Sequence, residues 1–274
     1  SDGYIYVADG IDNHRIAKFD STGKFVMNIG GSSGEESPNP PAGLFREPWD
    51  VAAAPDGSIY VADTWNHRTQ HFKADGTFIR AWGTYSNTGG QAVGSEGGFF
   101  GPRGIAIDAT GRVLVADTGN KRIQIFEANG QFISQFGGAG LLAGNLDEPV
   151  GIAVDVKGNI IVADTWNGRI QVFDQTGLPL AQWDIDGWLD RDLVGKPYVA
   201  VDQQQRVYVA DEVGRRVLVF DETGTYLGGF GGFGLDNKGF QLPGGIAVDK
   251  DGFIYVVDSD SSRVLKFPPF QVKQ

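Results

Sequence analysis

Val115-Ala116-Asp117-Thr118-Gly119-Asn120-Lys121-Arg122-Ile123-Gln124-Ile125-Phe126 reads as two short strands around a polar turn. β-Branched residues at alternate positions make the strands, and Thr-Gly-Asn between them is turn chemistry. The pattern returns along the chain, with its Asp at Asp9, Asp63, Asp117, Asp164, Asp211 and Asp258, spaced 54, 54, 47, 47 and 47 residues apart. An Arg follows each one, at Arg15, Arg68, Arg122, Arg169, Arg216 and Arg263. Four residues beyond each Arg comes a Phe: Phe19, Phe72, Phe126, Phe173, Phe220 and Phe267. Chance does not produce that register, and self-similarity at this period marks a repeat architecture.

Working outward, each unit supplies two further strands. An apolar run such as Gly151-Ile152-Ala153-Val154-Asp155 comes before the pattern as an inner strand a, and an Asp-Gly or Asn-Gly turn leads out of it. After the pattern, Asn129-Gly130 turns into strand d, Gln131 to Phe136. Strands a are predicted at 50–54, 104–108, 151–155, 198–202 and 245–249, and no segment shows a sustained helical period. Four-stranded antiparallel units without helices predict an all-β, six-bladed β-propeller, with units at about 1–30, 48–83, 102–137, 149–183, 197–231 and 243–274. The first blade lacks its inner strand, because Ser1-Asp2-Gly3 already resembles the a–b turn. Pro268 to Gln274 is the one candidate for a last strand d. The chain is accordingly expected to be a single propeller domain excised from a longer protein.

The pattern P-x-G-I-A-V-D, then V-A-D-T-x-N-x-R-I-Q-x-F, then G-x-F-x-x-x-F-G resembles the NHL repeat. It is clearest from Pro102 to Gly137 and from Pro149 to Trp183. The resemblance implies a six-bladed propeller and leaves function open, since relatives include ligand sensors, RNA binders, scaffolds and a few lyases. It also admits an extracytoplasmic setting, as a non-catalytic appendage of a membrane-anchored glycosyltransferase or kinase.

Composition narrows the partners. Net charge is −11, with 34 acidic against 23 basic residues, which argues against nucleic acid because such binders gain affinity by neutralising phosphates. Cys is absent, so neither disulfides nor thiolate chemistry arise. No apolar run reaches the ~18 residues of a membrane span. Any membrane contact would therefore come through flanking regions, and the charge suits a soluble, monomeric domain.

Six-fold repetition indicates shared structural work. The strand-c Phe residues are expected to pack between blades. Each Asp is expected to accept backbone N–H groups in its turn, with its Arg in a bidentate pair nearby. Function is sought where the repeats break, on the face shared by the d–a loops and b–c turns. The irregular segments 30–47, 83–101 and 183–196 lie there, as do Trp65, Trp166, Trp188, Tyr85, Phe99, Phe100 and Phe233. The position filled by Gly104, Gly151 and Gly245 is Asp50 in the second unit and Tyr198 in the fifth, with Trp49 and Arg103 alongside. Aromatics with an acid and a base at a concave opening suit a peptide, a protein segment, or a small polar or sugar ligand. The alternative is that Asp50 and Tyr198 merely plug the channel.

Catalytic and metal readings are weaker. Lyase relatives of this type are expected to use channel His residues around zinc, whereas His14, His67 and His71 lie in or next to b–c regions. Asp184, Asp186, Asp190 and Asp192 offer oxygens at near-alternate spacing for a calcium ion, without the EF-hand loop pattern. An acidic solvated loop explains the same residues. The expectation is a binding or sensor module without a catalytic residue or resident cofactor; a propeller lyase or lactonase is the alternative.

Overall fold

The computed structural model describes residues 3–91, 95–189 and 196–272. The fold is a six-bladed β-propeller of antiparallel sheets. Its blades fall into two compact units, Ser1–Gly140 and Leu141–Gln274, with three blades in each.

In the first unit, blade 1 has three strands, Ile5–Asp9, Arg15–Phe19 and Phe25–Gly30, which matches the missing inner strand. Blade 2 comprises Pro48–Ala53, Ile59–Asp63, Arg68–Phe72 and Phe78–Trp82; blade 3 comprises Ile105–Ile107, Val113–Asp117, Arg122–Phe126 and Phe132–Gly137. In the second unit, blade 4 comprises Pro149–Val154, Ile160–Asp164, Arg169–Phe173 and Pro179–Asp184. Blade 5 comprises Val199–Val201, Val207–Asp211, Arg216–Phe220 and Tyr226–Gly231. Blade 6 has Pro243–Val248, Ile254–Asp258 and Arg263–Phe267. Residues 268–272 form no fourth strand there. They turn back on blade 5, where Arg206 Nη1 donates to the Phe270 carbonyl at 2.8 Å.

Each core cluster lies between two neighbouring blades. Phe72 packs with Ile16, Ile29, Phe45 and Ile59; Phe126 packs with Tyr60, Phe99 and Val115. In the second unit Phe220 joins Ile170, Trp188 and Val209, while Phe267 packs on Phe240. Phe72, Phe126, Phe220 and Phe267 thus do the inter-blade packing their repetition implied, each buried ring contributing roughly 1.5–3 kcal/mol. Gly83 and Gly231 end their d strands in left-handed conformations, φ +106° and +96°. A Cβ there would run into Phe99 or Phe240, so only glycine lets these loop rings cross.

The Asp–Arg pairs of blades 2, 3, 4 and 6 prove to be clamps. Asp63 Oδ1 accepts the Arg46 backbone N–H at 2.8 Å, and Oδ2 accepts Arg68 Nε at 2.7 Å, Asn66 Nδ2 at 2.9 Å and Gln70 Nε2 at 2.9 Å. The two Nη groups of Arg68 do not form the expected bidentate pair. They donate to the carbonyls of Pro40, Pro41 and Leu44, at 2.7–2.8 Å, and tie down the preceding d–a loop. Arg122 and Arg169 repeat the arrangement in blades 3 and 4. Burial works to push the Asp63, Asp117 and Asp164 carboxyls up, and these donors work against it.

Candidate functional site

The face built from d–a loops and b–c turns carries most of the irregular sequence. In the first unit, the inner strands of blades 2 and 3 run side by side there, and Asp50 joins them. Its Oδ2 accepts the Ile105 N–H at 2.9 Å and its Oδ1 the Val51 N–H at 2.8 Å. Burial pushes the Asp50 carboxyl up to about 7, against the pull of these two N–H donors. The Arg103 guanidinium lies 4.6 Å from the Trp49 ring centroid. Trp49, Asp50 and Arg103 are thus brought together. With both Asp50 oxygens given to backbone, the carboxyl fits strand-to-strand bonding better than ligand capture.

Tyr198 belongs to the second unit and is buried, its carbonyl accepting the Ala210 N–H at 3.0 Å. Gly151 lies against the Tyr198 backbone so closely that a Cβ would collide with it.

The two Trp-Asn turns have the same local form and different outcomes. Thr64–Asn66 and Thr165–Asn167 are single 3₁₀ turns. In the first, Trp65 is half-buried and its Nε1 donates to Glu47 Oε2 at 3.0 Å. In the second, the equivalent Glu148 accepts Lys196 Nζ at 3.2 Å, and Trp166 is left 60% exposed. The third tryptophan corrects the sequence reading. Trp188 is only 2% exposed, lies in the core between blades 4 and 5, and donates Nε1 to Asp211 Oδ1 at 3.2 Å. Its ring is large enough to replace the loop Phe of other blades, so it offers no surface to a ligand. Phe99 is likewise buried.

The histidines do turn work. His14 Nδ1 accepts the Glu47 N–H at 3.0 Å, and His67 Nδ1 accepts the Gly101 N–H at 3.1 Å. Both sit in left-handed conformations, and burial lowers the His67 pKa. His71 stacks on Tyr60 at 4.0 Å. Among the described residues, no three His, Asp or Glu side chains gather in a way that could hold a metal ion. Of the calcium candidates, Asp184 ends strand d of blade 4 and Asp186 follows it, while Asp190 and Asp192 lie outside the described residues.

Two concavities emerge that the repeats did not announce. On the loop face of the first unit, a groove of about 650 Å³ lies between Glu36–Pro40, Asn66–Arg68 and Ala81–Tyr85. His67, Tyr85 and Phe100 cluster beside it with ring centroids 4.9–6.1 Å apart, and Tyr85 is 59% exposed. Its walls come from the irregular segments 30–47 and 83–101, the same segments that lengthen the first two spacings to 54 residues. The crossing of the two loops could not be read from sequence.

The second concavity, about 500 Å³, lies among the short turns of the second unit, between Asp202–Arg206, Asp249–Gly252 and Pro269–Val272. Short Asp-Gly and Asn-Gly turns by themselves offer little concavity. The wall that forms it is the returning segment 269–272, part of the candidate for a last strand d.

The NHL repeat model matches residues 45–72, 99–126, 146–173 and 240–267, each match running from a buried loop side chain to the strand-c Phe. Human NHL repeat-containing protein 3 is 32% identical over 124 residues, 44% of this chain and 33% of that protein. Xenopus laevis peptidyl-glycine alpha-amidating monooxygenase A is 40% identical over 80 residues, 28% of this chain and 8% of that protein. The chain spans a third or less of the length of these relatives. A streptogramin B lyase structure superposes with TM-score 0.62 at 16% identity, covering 95% of this chain and 77% of the other. That likeness is one of fold. With four blades matched by the repeat model and all six sharing its Asp–Arg–Phe frame, the chain belongs to the NHL-repeat family of β-propellers.

Proposed function

We propose that this propeller is a binding module for a peptide or protein segment, seated in the groove at Glu36–Pro40 and Ala81–Tyr85. The observation that carries the reading is the exposed Tyr85 ring at the edge of a concavity of about 650 Å³. That size suits a few residues of extended chain. One wall holds Pro38 and Pro40, whose fixed φ angles reduce the ordering a ligand must induce. Arg68 anchors that wall through the Pro40 and Pro41 carbonyls, so the groove is preformed. Tyr85 supplies flat amphipathic area at low entropy cost. His67 Nδ1 already accepts the Gly101 backbone N–H, so the ring serves as part of the wall. The activities named for the relatives belong to those whole proteins.

Selection of a random peptide library on the purified domain, followed by titration of the best binders, tests this. Tyr85→Ala should weaken them by about 2 kcal/mol, the scale of an interface hot spot, or roughly 30-fold. Binders indifferent to Tyr85→Ala would rule the groove out.

A further inference from the structure

Two histidines hold the two segments that wall the Tyr85 groove. The residue before each strand-c arginine lies in the left-handed region, at His14, His67, Lys121, Gly168, Arg215 and Ser262. The first two carry imidazoles, and they sit in the blades from which the long segments 30–47 and 83–101 leave. His14 Nδ1 accepts the N–H of Glu47, the last residue of the first segment, at 3.0 Å. His67 Nδ1 accepts that of Gly101, the last residue of the second, at 3.1 Å. In each case the next blade holds the amide one residue earlier, Arg46 going to Asp63 and Phe100 to Asp117. Each histidine therefore ties the far end of a long segment back to the blade that the segment left.

A backbone N–H can only donate, so His67 Nδ1 carries a lone pair and the ring is the neutral Nε2–H tautomer. An imidazolium has a hydrogen on both nitrogens and would meet the Gly101 N–H donor to donor. The His67 ring is 6% exposed and packs on Tyr85 at 4.9 Å, Phe100 at 6.1 Å and Trp65 at 6.2 Å between centroids. The charged groups acting on it are Glu36 and Arg46 of the preceding loop, which pull in opposite directions and pair with each other at 3.1 Å. Tyr85 is the titratable ring on the strand beside it. Burial is the largest influence and lowers the His67 pKa from the ordinary value of 6.5.

We infer that His67 is an acid-operated latch on the groove: protonation breaks its bond to Gly101, frees the wall that carries Tyr85 and releases a bound segment. The release rests on the groove reading above; the latch rests on His67 and Gly101. The sign follows from linkage, because an unfolded histidine takes the proton more readily than this buried one. The bond is intact at neutral pH, and its support is lost as pH falls through 6.5 towards the lowered folded value.

The test follows the whole chain from pH 7.5 to pH 5 by NMR, reading the His67 ring nitrogens and the exchange protection of the Gly101 amide. An unprotonated Nδ1 at pH 7.5 should convert to imidazolium in step with a loss of about tenfold or more in Gly101 protection. His67→Asn offers an oxygen acceptor that does not titrate in this range, on a residue type that tolerates the left-handed backbone, so its Gly101 protection should not change with pH. A library-selected peptide free of Asp, Glu and His should lose about tenfold in affinity over the same range on the wild type. On His67→Asn the loss should be about threefold or less, the remainder belonging to His14. Imidazolium formation with Gly101 protection unchanged overturns the latch whatever binds, and an equal affinity ratio in wild type and His67→Asn overturns the release. Peptides indifferent to Tyr85→Ala would instead overturn the groove reading and the release with it, while the Gly101 amide still decides the latch.

Discussion

Replacing Arg122 with methionine isolates what the blade clamp is worth. Arg122 and Asp117 are both fully buried, with Nε 2.8 Å from Oδ2. Nη2 holds the Ser95 and Gly98 carbonyls at 3.1 and 2.9 Å. Methionine fills much of the volume and removes every donor. Asp117 then keeps the Phe100 N–H, Asn120 and Gln124, but no cation. Leaving a buried charge without its partner costs about 3–5 kcal/mol. At about 2.1 cal/mol/K per residue, 274 residues unfold with an entropy of about 0.6 kcal/mol/K, so the melting temperature should fall by about 5–9 °C. Arg15→Met is the control, because its pair with Asp9 is about one-third exposed on each side and should shift melting by less than about 2 °C. Calorimetry on both variants, with Asp117→Asn/Arg122→Met recovering part of the loss, makes the comparison. Equal shifts for Arg122→Met and Arg15→Met would refute the clamp as a stabilising device.

Three further outcomes are expected. Asp50 has a folded pKa of about 7 against about 3.9 unfolded, so the native state binds the extra proton between those values. Its contribution to stability therefore falls as pH rises from about 4 to 7, by about 4 kcal/mol at most, and Asp50→Asn should flatten that slope in urea midpoints at pH 5 and 8. Exposed turn aspartates behave oppositely: the Thr176 hydroxyl and backbone N–H groups hold Asp174 below the usual carboxylate range, so its support is lost as pH falls through that lowered value, and Asp174→Asn should sharpen no transition above pH 5. Trp188→Ala should cost about 3–5 kcal/mol by denaturant unfolding, and Trp188→Phe about 1–3 kcal/mol for the lost Asp211 bond; a surface tryptophan would give neither.

The sequence carried the frame well because blades repeat. Ile59–Asp63 and Arg122–Phe126 fall where alternation and turn chemistry placed them, and inner strands shift by no more than two residues at either end. Local rules suffice where each strand pairs with its sequence neighbour. What sequence could not show was reach across loops. Arg68 was read as a partner for Asp63, yet its Nη groups serve carbonyls 24–28 residues earlier. Trp188 was read as surface because tryptophan in an acidic loop suggests a ligand contact; its indole instead replaces a backbone donor at Asp211, a swap visible only once the loop is folded. Asp50 breaks the Gly pattern of the inner strands, and its carboxylate accepts the Ile105 N–H of the neighbouring inner strand. The groove at Tyr85 depends on segments 36–40 and 81–85 meeting, and no periodic signal records that meeting.

The most direct test of the proposed binding role is a hydrogen-exchange footprint of a library-selected peptide on the whole chain. Slowed exchange at Ser37, Asn39 and Ala81–Tyr85 is the predicted result. Protection confined to Asp249–Gly252 and Phe270–Val272, the concavity among the short turns, would contradict it.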